Sequence, residues 1–351
     1  MKGDFVFAVP GDLSTPTGGY AYDRRMIVEL RELGWRPEVI NLGEGFPRPS
    51  ALARAAAKAQ LADVPKGRPI VIDGLAFGVL PEAAEELQAT HPLIALVHHP
   101  LALETGLAAE EAAALHESEG RALSCTRGVI ANSAATARAL AADYGVPPER
   151  ITVAPPGTDR APAMRRKGTS TLVALLAVGA VVPRKGYDVL VAALAQLLDL
   201  PWRLTIAGDC SRDGETAAKL RADIVRHGLE PRVTIEDAVA AERLAELYAG
   251  SDLFVLPSRY EGFGMAYAEA IAHGLPVIGT TAGAIPETVP ASAGVLIPPD
   301  DVSALAAALR RLIEDGDERA RLAAGARAAA EKLPTWRASA ELFSQAIERV
   351  V

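Results

Sequence analysis

The chain has 351 residues, 50% hydrophobic and 23% charged, with a formal net charge of −8. It is too long for one small domain and fits two of about 150–180 residues. The composition excludes a disordered chain, and the charge argues against a general nucleic-acid binder.

The opening MKGDFVFAVPGD is too short in apolar length for a signal peptide; Phe5–Val9 within it reads as a first buried strand. The loop PGDLSTPTGG and a helical pattern over Tyr20–Leu33 follow. Strand, Gly-rich loop and helix together form a layout that cradles phosphate, although a Gly-Gly pair before a helix is also an ordinary turn. Val39–Leu42 reads as a second strand, Ser50–Asp63 as an Ala-rich helix with a solvated face, and Ile70–Ile72 as a third strand before Asp73-Gly74. Leu93–Val97 is a fourth strand and ends at His98-His99-Pro100. Open α/β sheets bind ligands at the carboxyl ends of their strands, so a histidine there is well placed for a site. The alternative is a packed or exposed turn histidine, the reading favoured for His99. Glu104 and Thr105, in the next loop, are candidates for acceptor contact. A helix over Glu110–Ser124, a strand from Gly128, a helix over Ala134–Tyr144 and a strand over Ile151–Ala154 complete the first half.

Residues 155–170, PPGTDRAPAMRRKGTS, break the periodicity and read as a linker. Its cations Arg160, Arg165, Arg166 and Lys167 suit a solvated connector, or contact with anionic lipid. The alternation then restarts. Strands are expected at Leu172–Val178, Leu204–Ala207 and Val233–Ile235, and helices at Tyr187–Leu198, Arg212–His227 and Ala240–Ala249. A short strand at Val295–Ile297 precedes helices starting near Val302, Asp317 and Thr335. Alternation in both halves predicts parallel sheets covered by helices.

Ser258–Val289 is the most informative stretch. The strand Leu253–Leu256 leads into the loop Tyr260-Glu261-Gly262-Phe263-Gly264, then a helix from Met265 to Gly274 and a buried strand at Pro276–Gly279. The helix is apolar on nearly all sides, so Glu269 within it needs a partner. An exposed sliver or a structural arginine would serve; so would the hydroxyls of a ligand. Gly262 and Gly264 let the backbone approach a ligand closely, and the first free N–H groups of the helix suit phosphate.

Two glutamates in this spacing, with Gly-Phe-Gly after the first and GLPVIGTTAGAIPETV beyond, resemble the donor site of retaining GT-B glycosyltransferases of glycosyltransferase family 4. The resemblance implies an α/β GT-B fold, two Rossmann-like domains facing each other across a cleft. It places an acceptor-side domain at 1–160, a nucleotide-sugar domain at 171–334, and a last helix over 335–351 crossing back to the first domain. It implies that Glu261 contacts the donor sugar and Glu269 the ribose hydroxyls. The backbone N–H groups of Phe263, Gly264, Met265 and Ala266 would touch sugar and phosphate. Gly18 and Gly19 would approach the donor phosphates, and His98 would sit near the sugar and phosphate. In VGAVVPRKGYD, Lys185 matches the family lysine, which places a cation on the diphosphate. The family arginine after Val-Gly is replaced by Ala180. Arg184 is a candidate substitute, but in a regular segment its side chain should point away from that of Lys185, and the pair also reads as solvated.

The expected reaction is sugar transfer from a nucleoside diphosphate sugar, UDP or GDP, to an acceptor hydroxyl with retention of configuration. The acceptor is left open among glycan, lipid-linked and small molecules, and the base is set by the loop around Ile235–Val239. No further cofactor is expected. No metal is expected either, because Asp315-Gly316-Asp317 reads as a turn and cap and the histidines lack zinc spacing. Cys125 and Cys210 are far apart, which fits a reduced cytoplasmic protein. With no apolar run near the roughly 20 residues of a membrane helix, any membrane contact is expected to be peripheral, at the inner face. A nucleotide-sugar 2-epimerase and a non-catalytic GT-B-like subunit are the competing readings; Ala180 alone favours the second.

Overall fold

The computed structural model describes residues 2–160 and 172–351. They form two compact units, Met1–Gly157 with Pro334–Val351, and Thr158–Leu333. The linker reading falls largely on 161–171, so Arg165, Arg166 and Lys167 lie outside the described residues.

Unit 1 runs β1 (Asp4–Val9), α1 (Gly18–Glu32), β2 (Arg36–Asn41), α2 (Ala51–Ala62), β3 (Ile70–Asp73), α3 (Gly74–Phe77), α4 (Pro81–Leu87), β4 (Leu93–Val97), α5 (Ala109–Ser124), β5 (Gly128–Ala131), α6 (Ala134–Asp143) and β6 (Ile151–Val153). Its six strands are parallel, in the order β2-β1-β3-β4-β5-β6. The order reverses between β1 and β3, and the loops leaving their carboxyl ends diverge there, the place where such sheets bind ligands. The strands β1, β3, β4 and β5 are buried almost throughout and read as continuous apolar runs, as strands covered on both faces do.

Unit 2 runs β7 (Val173–Val178), α7 (Tyr187–Leu194), β8 (Trp202–Ala207), α8 (Gly214–Arg226), β9 (Val233–Glu236), α9 (Ala241–Ala249), β10 (Leu253–Val255), α10 (Met265–Ala272), β11 (Val277–Thr280), α11 (Ile285–Thr288), β12 (Gly294–Ile297), α12 (Val302–Glu314) and α13 (Gly316–Ala330). Its order is β12-β11-β10-β7-β8-β9, again all parallel. The reversal lies between β7 and β10, so the loop carrying Arg184 and Lys185 and the loop carrying Glu261 leave neighbouring strands.

The last helix, α14 (Trp336–Glu348), packs in unit 1. Phe343 stacks on Phe7 at 6.1 Å between ring centroids. Ser344 accepts hydrogen bonds from Lys2 Nζ (2.7 Å) and Trp35 Nε1 (2.9 Å). A Cβ added at Gly157 would lie 2.2 Å from the Trp336 backbone nitrogen, so the strand of chain leaving unit 1 touches the one returning to it.

The structure adds three helices to the expected set, each with a local cause. Asp73 caps α3 through a 2.7 Å bond from the Leu75 N–H, Pro81 begins α4, and α11 carries Pro286 in its first turn. All three are short enough to escape a periodicity search. β2 begins at Arg36, earlier than expected, because it is an edge strand whose exposed polar residues and Pro37 disguise it. Asp315 is the N-cap of α13, accepting from the Glu318 N–H at 2.8 Å. Among the described residues no helix is long and apolar enough to cross a membrane.

Candidate active site

In unit 2 the chain leaves β7 through Gly179-Ala180 and tightens into a 3₁₀ turn, Pro183–Lys185, before α7. Gly186 closes this turn with φ of 69°, and a Cβ there would stand 2.2 Å from the Pro257 carbonyl oxygen. The turn is thus pressed against the loop after β10, and only glycine fits the contact.

This places both cations on one carboxylate. Lys185 Nζ lies 2.6 Å from Glu261 Oε1, and an Arg184 guanidinium nitrogen lies 3.2 Å from Oε2 and donates to the Tyr260 carbonyl at 2.8 Å. The expectation that Arg184 points away from Lys185 is therefore corrected, because the segment is a 3₁₀ turn and not extended. The solvated-pair reading falls too: the two side chains are only 18% and 14% exposed. Ser258 donates its hydroxyl to Glu261 Oε1 at 2.7 Å. Burial pushes the Glu261 pKa up, but Lys185 and Arg184 outweigh it and hold the pKa at about 2.

Arg259 braces the turn. Its backbone N–H donates to the Arg184 carbonyl at 2.8 Å, and its guanidinium bonds the Pro183 carbonyl. The same guanidinium reaches both Asp188 oxygens (3.1 and 2.8 Å) and Asp300 (2.7 Å). On the other side of Glu261, Gly283 has φ of 55°, and a Cβ there would be 2.3 Å from the Glu261 carbonyl oxygen. That oxygen accepts the Ala284 N–H at 2.9 Å.

Gly264, with φ of 90°, precedes α10. The N–H groups of Met265 and Ala266 have no acceptor within the helix. Thr288 holds the loop by donating to the Phe263 carbonyl at 2.7 Å. Glu269 is half-buried, and its partner is Tyr248, whose hydroxyl donates to Oε2 at 2.8 Å; the structural arginine considered from the sequence is not what it meets. Burial raises its pKa, against the Tyr248 hydrogen bond.

In unit 1, Thr17 caps α1, and Gly18 and Gly19 form its first turn. Gly19 lies flat against the His98 ring, where an added Cβ would come within 3.4 Å of Cδ2. His98 Nε2 stands 3.2 Å from Asp23 Oδ1 and 3.4 Å from Asp73 Oδ2. The sequence reading singled out neither aspartate. Asp23 shares the buried face of α1 with Met26, Ile27 and Leu30, and a charge in that stripe was the available signal. His99 turns to Glu104 at 3.3 Å, and Glu104 in turn accepts the Thr105 N–H at 3.0 Å. Buried Glu119 also escaped notice. It fixes the loop after the histidines by accepting the Leu101 N–H at 2.9 Å, and burial lifts its pKa to about 7.

Two doubly wound parallel sheets, each with polar loops at its switch point, define a GT-B fold of the glycosyltransferase kind. Sucrose-phosphate synthase from Thermosynechococcus elongatus superposes with a TM-score of 0.80 at 22% identity, covering 99% of both chains. HepE of Anabaena, in complex with UDP and glucose, superposes with a TM-score of 0.76 at 21% identity, covering 97% of this chain and 99% of that one. At those identities the likeness is one of fold.

Residues 173–315 match the family model for Glycosyl transferases group 1, and residues 75–161 match that for Glycosyltransferase Family 4. The MMP alpha-(1->4)-mannosyltransferase of Mycolicibacterium hassiacum is 30% identical over 326 residues, covering 87% of this chain and 77% of that protein. The chain belongs to glycosyltransferase family 4. The D-inositol 3-phosphate glycosyltransferase of Thermobispora bispora is 35% identical over 243 residues, covering 63% of this chain; the match spans only 56% of that relative's length.

Proposed function

We propose that this chain transfers a sugar from a nucleoside diphosphate sugar to an acceptor hydroxyl, with retention of anomeric configuration and without a metal. The observation that carries this reading is the convergence of Lys185 and Arg184 on Glu261, beside the amino end of α10. A departing diphosphate needs positive charge that is already in place. The two cations and the N–H groups of Met265 and Ala266 supply it. Arg184 provides the second cation, so Ala180 no longer favours a non-catalytic subunit. Glu261 orients the donor sugar, Glu269 accepts from the ribose hydroxyls, and Gly18, Gly19, Phe263 and Gly264 let backbone approach the donor. His98 addresses the sugar or phosphate.

HepE was crystallised with UDP and with UDP-glucose, which puts UDP first among the donors to test, with GDP second. The test is a thermal-shift screen of the protein against UDP, GDP, ADP and their sugar conjugates. A nucleotide at about 100 times its Kd stabilises the fold by about 2.7 kcal/mol. A shift with one base supports the reading and names the base; none with any nucleotide overturns it. Product analysis separates the chemistry: a glycoside keeping the donor's anomeric configuration is expected, whereas an epimerised sugar would mark a 2-epimerase. Turnover should survive EDTA; strict loss, restored by magnesium, would overturn metal independence.

A further inference from the structure

Three titratable groups of unit 1 meet at one point: Asp23 from α1, Asp73 from the end of β3 and His98 from the end of β4. Their polar atoms all lie within 4.8 Å of one another. Asp23 and Asp73 are only 0% and 2% exposed. Two carboxylates so placed repel each other and are poorly solvated, so the group needs positive charge or a shared proton. The ring of His98 is the cation at hand, and it is held still. Gly19 packs against one face, and the Tyr22 ring meets it edge-on at 5.3 Å between centroids.

The bonding assigns the two ring nitrogens different tasks. Nε2 faces both aspartates, at 3.2 and 3.4 Å. Asp73 is itself fixed, since its Oδ1 accepts the Leu75 N–H at 2.7 Å. Asp23 Oδ2 has no hydrogen-bond partner among the described residues, so this carboxylate depends on His98. Nδ1 makes no hydrogen bond to the described protein, and the side chain keeps 18% exposure. A carboxylate on one nitrogen of an imidazole sets its tautomer and raises its basicity.

We propose that Asp23 and Asp73 are positioning residues that hold His98 as an imidazolium, taking up its Nε2–H and leaving Nδ1–H as a charged donor for an anionic oxygen of the bound substrate. The substrate half of this rests on the donor reading above; the charge does not. An imidazolium has no lone pair to accept a proton, so His98 is a fixed cation and not the base of the reaction.

The electrostatics agree. Burial works against charge on His98, but the two aspartates more than reverse it and lift its pKa to about 10. Burial and the neighbouring Asp73 raise that of Asp23 to about 7, against the pull of His98. The other groups around the ring do not compete. From α1, the Tyr22 hydroxyl is committed to the Ala154 carbonyl at 2.9 Å. From the ring's own loop, His99 pairs with Glu104.

The experiment is ¹⁵N-histidine NMR of the full chain, which has six histidines, with His98 assigned through His98→Gln. At pH about 8 an ordinary imidazole, with pKa about 6.5, is neutral. His98 is expected to show two protonated ring nitrogens there. Asp23→Asn and Asp73→Asn should each lower its midpoint by about one unit or more. A wild-type midpoint near the ordinary value overturns the proposal, even if neither variant folds; so does a midpoint that both folded variants leave unmoved. Saturating UDP or GDP tests the substrate half. A nucleotide that binds without moving the His98 resonances overturns that half. If neither binds while His98 stays charged, the donor reading fails and the charge assignment stands.

Discussion

Glu261 keeps its negative charge in a place where burial alone would neutralise it. Its pKa of about 2, against an ordinary value of 4.5, has a consequence for stability. Because the folded value is depressed, the stabilisation is fully present above pH 4.5 and is lost as the pH falls towards 2. It amounts to roughly 3 kcal/mol. Acid melts should show that loss in wild type and a shallower one in Glu261→Gln. The same variant separates binding from chemistry. Glu261 occupies the two cations that a diphosphate would use, so Glu261→Gln should bind UDP or GDP at least as tightly as wild type, while turnover falls by ~100-fold or more; calorimetry and a donor-turnover assay read the two. Glu261 can be singled out from the sequence by the Gly-Phe-Gly after it and its spacing to Glu269, and Lys185 by the resemblance of its loop to the family's phosphate element. Arg184 cannot be placed that way, since its direction depends on a 3₁₀ turn that three residues scarcely announce. Asp23 and Asp73 are harder still: they stand 50 positions apart, and 75 and 25 positions before His98, and the three meet only when the sheet forms.

At the scale of elements, the strand orders explain why the polar loops gather where they do. Each sheet reverses once, and the loops leaving the two strands at the reversal part to opposite faces, opening a crevice at the carboxyl ends of the strands. The alternation of strand and helix is visible in the sequence, and buried strands such as Leu93–Val97 have the expected bounds. The order of strands within a sheet is not, because several windings bury the same apolar runs equally well. Loop shape then rests on a few backbone contacts. Gly283→Ala would drive a methyl group against the Glu261 carbonyl in a left-handed conformation. A loss exceeding about 1 kcal/mol in a urea melt, together with weaker nucleotide binding, is expected. Arg259→Ala should leave the fold standing, because its guanidinium bonds only polar groups of Pro183, Asp188 and Asp300 and takes no part in the apolar core. It should raise the donor KM by about tenfold, since the turn carrying Arg184 and Lys185 keeps its backbone bond to residue 259 but loses the guanidinium bonds to the Pro183 carbonyl and Asp188. An unchanged KM would remove Arg259 from that role.

At the scale of the molecule, unit 1 is discontinuous in sequence, and α14 completes its packing. Phe343 is fully buried against Phe7. Phe343→Ala should cost about 3–5 kcal/mol by chemical denaturation, in the transition of unit 1, with nucleotide binding by the protein that remains folded as the control for unit 2. The sequence suggests a terminal helix from Thr335, but nothing local says which sheet it covers; that is decided by Phe343, Ser344 and their distant partners Phe7, Lys2 and Trp35. The contact between Gly157 and Trp336 reaches further. Because the outgoing and returning chains touch, residues 158–333 are, in genetic terms, one domain inserted into another at a single point. An insertion with adjoining ends can be cut out and replaced by the matching segment of a relative without re-routing either domain. Recombination between members of such a family therefore has a ready pair of breakpoints, and the two halves of a transferase can acquire new partners one at a time.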